Sequence, residues 1–154
     1  MSDLKNKRII TAAFALLTAV GMSAQIISVT PSASKVKQYD AIFFEVALSG
    51  EWDNPYLQEE AALDMVLAAP SGKELVLPCF YKDGESGSES TWEARFTPQE
   101  KGKYSYFFRY CEDGDTASES EPATFKARRG KGKGILHVRD NWTLVYDNGK
   151  PFRG

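Results

Sequence analysis

The sequence predicts an all-β fold, an antiparallel β-sandwich, and three observations carry that reading. First, apolar and polar residues alternate in run after run, as in Ile42, Phe44, Val46 and Leu48, or Leu63, Met65 and Leu67. A period of two places one face of a strand in a core. Second, turn signals such as Pro70-Ser71-Gly72 separate these runs at intervals of roughly 8–14 residues, with no alternation of strands and helices. Third, the stretch 92–111, WEARFTPQEKGKYSYFFRYC, sets Gly102-x-Tyr104-x-Tyr106 directly after a turn. In immunoglobulin-like sandwiches a Tyr near the start of strand F bonds back to the preceding corner, two residues before an inward-facing position. Tyr104 fits the corner and Tyr106 the core position; the alternative is an ordinary hairpin that contains a tyrosine. The predicted architecture is therefore an immunoglobulin-like antiparallel β-sandwich of about seven strands, followed by a short C-terminal β-hairpin.

The elements follow in order. Gln25–Thr30 is a first strand, stopped by Pro31, and a small strand falls around Lys35–Lys37. Ala41–Ser49 is a strand rather than a helix because of its β-branched and aromatic content and the stop at Gly50. Gly50–Glu60 is a loop whose turn residues, Asn54 and Pro55, are flanked by Trp52 and Tyr56. Ala61–Ala69 and Glu74–Tyr81 pair across the Pro70-Ser71-Gly72 turn, with Pro78 marking an edge or a bulge. Lys82–Thr91 is polar and rich in Gly and Ser, a surface loop. Trp92, Ala94 and Phe96 alternate in the next strand, and Lys103–Cys111 is the long aromatic strand. Glu112–Glu121 reads as an acidic loop, and Thr124–Ala127 as the last strand of the sandwich.

Residues 129–133 form a basic, Gly-rich linker inside the run Arg128-Arg129-Gly130-Lys131-Gly132-Lys133-Gly134. It reads as a solvated hinge or as a contact for an anionic polymer such as an acidic polysaccharide. Beyond it, Gly134–Val138 and Thr143–Tyr146 are short strands, and Asp147-Asn148-Gly149-Lys150 carries the Asn-Gly turn signature. Phe152 then has no evident partner within the sequence.

The first 24 residues differ from the rest. Lys5, Lys7 and Arg8 precede an uncharged 12-residue run, Ile9–Val20, and small residues lead up to Gln25. This is the layout of a secretory signal peptide over 1–24. The apolar run falls short of the ~20 residues that span a bilayer, so no retained membrane span is expected. The expected location is exported: periplasmic, cell-surface or extracellular. Cleavage removes Asp3, Lys5, Lys7 and Arg8 and leaves 16 basic and 20 acidic residues, a net charge of −4 that argues against a nucleic-acid partner. Export permits a disulfide between Cys79 and Cys111; two buried free thiols are the alternative. Two Cys and one His, widely spaced, match no metal-ligand pattern, and nothing points to a cofactor.

The sequence offers little catalytic chemistry. The single His, His137, follows the linker, and no nucleophile elbow or phosphate-binding loop is present. The four carboxylates of Glu112–Glu121 lack EF-hand spacing and read as a solvated turn. Paired carboxylates hydrolyse glycosides only when a cleft holds them roughly 5–10 Å apart. Loop aromatics are a different matter, because a pyranose presents an apolar face to an exposed ring. Trp52, Tyr56, Tyr81 and Trp142 are the candidates for such stacking; for Trp52 the competing role is to cover one end of the sandwich. Tyr104, Gly102, Trp92 and Phe96 are read as structural.

Several short motifs resemble a known family. They are Asn54-Pro55-Tyr56, Pro70-Ser71-Gly72 with Val76-x-Pro78-x-Phe80-Tyr81, and Trp92-x-x-Arg95-Phe96-x-Pro98-x-x-x-Gly102-x-Tyr104. Residues 25–128 thereby resemble the bacterial immunoglobulin-like domain of unknown function 5060, found ahead of apiosidase-like and other (β/α)8-barrel glycoside hydrolase modules. Residues 134–154, with Gly134-Ile135-Leu136-x-Val138 and Tyr146-Asp147-Asn148-Gly149-Lys150-Pro151-Phe152, resemble the start of the catalytic-type module, here apparently truncated. Cys79 stands where the resemblance leads one to expect Gly.

The resemblance implies a non-catalytic accessory domain of an exported carbohydrate-active enzyme, with the glycoside hydrolase barrel of the same polypeptide as its partner. It supplies no catalytic residue. A carbohydrate-binding module that holds polysaccharide on its loop aromatics is the alternative, and an adhesion or protein-interaction domain that uses an edge strand is a third.

Overall fold

The computed structural model describes residues 24–153. The expected signal peptide lies, apart from Ala24, outside the described residues. In chain order the strands are β1 (Gln25–Pro31), β2 (Lys35–Lys37), β3 (Ile42–Ser49), β4 (Ala61–Ala68), β5 (Glu74–Pro78), β6 (Phe80–Gly84), β7 (Glu89–Phe96), β8 (Gly102–Glu112), β9 (Asp115–Glu119), β10 (Ala123–Arg128), β11 (Leu136–Asp140) and β12 (Thr143–Tyr146). They form a four-stranded sheet ordered β1-β3-β7-β6, a six-stranded sheet ordered β2-β10-β8-β4-β5 with β9 beside β8, and a two-stranded sheet, β11-β12. If β1, β3, β7 and β6 are read as A, B, E and D, and β4, β8 and β10 as C, F and G, this is the immunoglobulin order ABED facing CFG. The fold is an all-β sandwich, as the sequence predicts.

Alternation places the core. Ile42, Phe44, Val46 and Leu48 of β3 are fully buried, and Leu63, Met65 and Leu67 of β4 face them from the other sheet. Phe44 sits at the centre, edge-on to Tyr106 with centroids 4.8 Å apart and 6.0 Å from Phe108. Tyr104 stacks on Phe125 at 4.9 Å, with the rings 5° from parallel. Each large side chain buried in this way contributes roughly 1.5–3 kcal/mol.

The sandwich holds ten strands, β1–β10, where about seven are expected, and two of the additions, β6 and β9, have distinct causes. The single strand read at Glu74–Tyr81 is two strands in different sheets. Pro78 has no N–H with which to continue the ladder. Cys79 makes one last bond, its N–H to the Leu63 carbonyl at 2.8 Å, and the chain then crosses to pair β6 with β7. The supposed surface loop at 82–91 shrinks accordingly, because both its ends are strand. Likewise, the acidic loop at 112–121 is a hairpin. Asp113 and Gly114 have φ of +49° and +86°, the two left-handed residues of a type I′ turn, and β9 pairs back onto β8.

The sandwich has two unlike ends. One end, the loop end, carries residues 50–60, 85–88 and the 113–114 turn, and β1 starts there, where Gln25 pairs with Ser49. The other, the corner end, carries the β4–β5 turn, the β7–β8 corner and the exit of β10. At the corner the Tyr104 hydroxyl accepts the Glu100 N–H at 2.9 Å and donates to the Glu100 carbonyl at 3.1 Å. The Glu100 carboxylate in turn accepts the Ser71 N–H at 3.0 Å and the Ser71 hydroxyl at 2.8 Å. Gly102, at φ +144°, lets β8 pass Pro70, which a Cβ there would meet at 2.6 Å. The Pro-Ser-Gly turn and the tyrosine corner are thus one structural unit.

Tyr104 is 1% exposed, and burial pushes its hydroxyl pKa above the ordinary value. Tyr104→Phe removes both corner bonds without leaving a cavity. It is expected to lower unfolding stability by about 1 kcal/mol. Gly102→Ala, which strains the backbone as well, is expected to cost more. Urea midpoints measure both; an unshifted midpoint for Tyr104→Phe contradicts the assignment.

Candidate functional site

The aromatic cluster lies at the loop end. Its anchor is a buried chain of hydrogen bonds in which Trp92 Nε1 donates to Ser90 Oγ at 3.0 Å and Ser90 donates to the Leu48 carbonyl at 2.9 Å. Trp52, from the loop after β3, packs perpendicular to Trp92 at 5.9 Å and is only 9% exposed. Its backbone N–H is held by Ser86 Oγ at 2.8 Å. Tyr81 meets Trp52, Trp92 and Tyr56 edge-on at 6.3, 5.7 and 5.7 Å. Its hydroxyl donates to the Gly84 carbonyl at 2.5 Å.

Of the four stacking candidates, Trp52 is therefore part of the core, and Tyr81 is half-buried as its outer wall. Tyr56 is 73% exposed and Trp142 is 95% exposed. The structure does not bring these two together. Tyr56 belongs to the loop end, whereas Trp142 sits on the tail hairpin and makes no ring contact among the described residues. Beside Tyr56 runs a groove of about 290 Å³ lined by Gln58, Cys79, Phe80 and Tyr81. The rings that meet there are mutually perpendicular, at 67–89°, so they do not form a flat platform.

A wider groove of about 670 Å³ at the same end is lined by Glu51, Asp53, Glu60, Glu112 and Asp113 among others. Two of these acids clamp loops. Glu60 accepts the N–H groups of Asp53 and Asn54 at 3.0 and 2.9 Å. Glu112 accepts the Glu51 N–H at 3.3 Å and the Tyr110 hydroxyl at 3.2 Å. Burial, helped by Glu112, pushes the Tyr110 hydroxyl pKa well up. Among the described residues no group of three or more His, Cys, Asp or Glu could hold a metal ion.

The cysteines are not bonded to each other. Cys79 hangs beside Leu63 on one side of β4, and Cys111 pairs with Ala62 on the other. With β4 between them they stand two strand spacings apart, roughly 9.6 Å. A disulfide needs Cα atoms within about 6.8 Å. Cys79 packs against the core, and burial raises its thiol pKa far above the ordinary value. Cys111 lies 3.8 Å from the Thr116 hydroxyl.

The corner end holds a joint whose key residues sequence reasoning missed. Where β10 leaves the sandwich, the Gln38 N–H bonds the Arg128 carbonyl at 2.7 Å, and the Tyr39 N–H bonds Pro98 at 2.9 Å. Tyr39 has φ +71°, a left-handed conformation that costs a bulky residue on the order of 1–3 kcal/mol. Residues 129–133 run over this turn. A Cβ on Gly130 would meet the Gln38 carbonyl at 2.2 Å, and one on Gly132 the Tyr39 ring at 3.3 Å. These glycines therefore allow close approach, not only freedom.

Asp147 lies at the centre of the joint. It accepts the Ile135 N–H at 2.8 Å and contacts His137 Nε2. These two partners hold its carboxyl pKa below the usual range, and its charge adds to burial in raising the Tyr39 hydroxyl. Gly134, at φ +91°, is packed so tightly that a Cβ would strike Asp147 at 2.4 Å. Phe152, expected to lack a partner, packs edge-on to Tyr146 at 6.2 Å.

A Bacteroides vulgatus ATCC 8482 protein described as a "putative glycoside hydrolase" has a solved structure that resembles this one, with a TM-score of 0.55 and 20% identity, covering 78% of this chain and 21% of that one. The likeness is one of fold, and the chain spans about a fifth of that protein's length. The alkylpurine DNA glycosylase AlkC of Pseudomonas fluorescens, solved on DNA with an abasic site analog, aligns at a TM-score of 0.47 and 11% identity over 69% of this chain and 30% of its own; this weaker likeness carries no argument. No curated protein matches. Residues 35–110, from β2 into β8, match the family described as Domain of unknown function (DUF5060).

Proposed function

We propose that this chain is a non-catalytic accessory domain of an exported carbohydrate-active enzyme, and that it packs against and orients a glycoside hydrolase module. The observation that carries the reading is the tail hairpin. Asp147 ties the start of β11 to the end of β12, and the linker is laid on the Gln38–Tyr39 turn. Yet Leu136, Val138, Leu144 and Phe152 of the hairpin remain exposed, Val138 at 76%. A two-stranded hairpin with so much uncovered apolar surface is marginal on its own. A following module would cover it and thereby take its orientation from the sandwich. The fold likeness to part of the much longer Bacteroides vulgatus protein, described as a "putative glycoside hydrolase", supports the same reading. So does the loop-clamping use of Glu60 and Glu112.

The second reading, a carbohydrate-binding module, rests on Tyr56 beside its groove. The perpendicular rings and the buried Trp52 weigh against it.

Two measurements test the proposal. Trypsin has four cleavage residues at the joint, Arg128, Arg129, Lys131 and Lys133. If the linker is laid down as described, Asp147→Ala should speed cleavage there several-fold while the sandwich survives; equal rates would mean that the linker is already free. In a longer chain that reads on into a glycoside hydrolase module, acrylamide should quench Trp142 much less than in the 154-residue chain. Equal quenching would refute docking on the hairpin.

A further inference from the structure

The pairing register gathers cations that the sequence scatters. Lys126 of β10 lies opposite Lys35 of β2 on one side and Lys103 of β8 on the other, so three lysines occupy one row across three strands. One step toward the corner end, Arg128 lies opposite Lys37. All five are exposed, on the outer face of the sheet. Row neighbours stand roughly 4.8 Å apart and successive rows roughly 6.8 Å. Among the described residues, none of the five forms an ion pair. The nearby carboxylate of Glu100 is engaged with Ser71.

Like charges directly opposite in a sheet destabilise it. Here they persist in a chain whose segment from Gln25 carries net negative charge. We propose that this face binds a linear acidic polysaccharide, one bearing uronate carboxylates or sulfates. The next row, Thr124 opposite Ser105, presents two exposed hydroxyls to sugar hydroxyls. Lysine suits such a ligand because it acts as a flexible point charge and imposes no planar fork. A single-stranded nucleic acid calls for aromatic platforms beside the cations, and a membrane surface calls for apolar side chains to insert. The rows named here offer neither. The assignment does not depend on the glycoside hydrolase reading or on the joint.

The test is affinity electrophoresis of the full chain in gels containing polygalacturonate, dextran sulfate or neutral dextran. Retardation is expected in the first two, fading as salt rises, and not in the third. The triple variant Lys35→Gln, Lys103→Gln, Lys126→Gln should weaken retardation at least tenfold without lowering the unfolding midpoint. Lys82→Gln, on the other sheet, should leave retardation unchanged. Equal retardation in neutral dextran, or a triple variant that still binds, would overturn the proposal. So would tighter binding to single-stranded DNA or to phosphatidylserine vesicles than to either anionic glycan.

Discussion

The bond between the Tyr104 hydroxyl and the Glu100 backbone is the constraint from which the corner end is built. It fixes the β7–β8 corner, which sets where Glu100 points. Glu100 then holds Ser71, so the turn between β4 and β5 takes its place from the same tyrosine. Pro98 and Gln99, also in that corner, receive hydrogen bonds from Tyr39 and Gln38. The joint that carries the tail hairpin therefore rests on the corner as well. A hydroxyl–backbone contact of ordinary strength matters here because three separate segments are referenced to it.

What the sequence disclosed follows from which forces leave a periodic trace. Strands β3, β4, β7 and β8 each have one face in the core, and their alternation made them legible. Strand β9, Asp-Thr-Ala-Ser-Glu, is almost wholly exposed beside β8 and carries no such pattern; its Asp113-Gly114 turn was the available signal. The break at Pro78 was visible as an irregularity, but a change of sheet is a tertiary event. The corner was legible because its residues are local, four positions apart. Asp147 was legible as a turn residue, but its grip on Ile135 and His137 depends on how the hairpin folds back.

The candidate sites divide the same way. Burial decided among the aromatics: Trp52 was absorbed into the core and Tyr56 left out, a distinction set by the packing of Trp92 and Tyr81. Charge is also distributed by end. The loop end gathers Glu51, Asp53, Glu60, Glu112 and Asp113, while the lysine rows lie toward the corner. Neither grouping is visible in the overall balance of 19 basic and 21 acidic residues, because net charge discards position.

The course of the chain through the sandwich has a mechanical consequence. The path enters at the loop end with β1 and leaves at the corner end with β10, and β2 runs parallel to β10. Tension applied between Gln25 and Arg128 would pull β2 backward and β10 forward along their shared ladder. The bonds of that ladder would be loaded together, in shear, instead of being peeled open one at a time. A tether built this way holds its length under a pull along the strands and yields most readily to one across them.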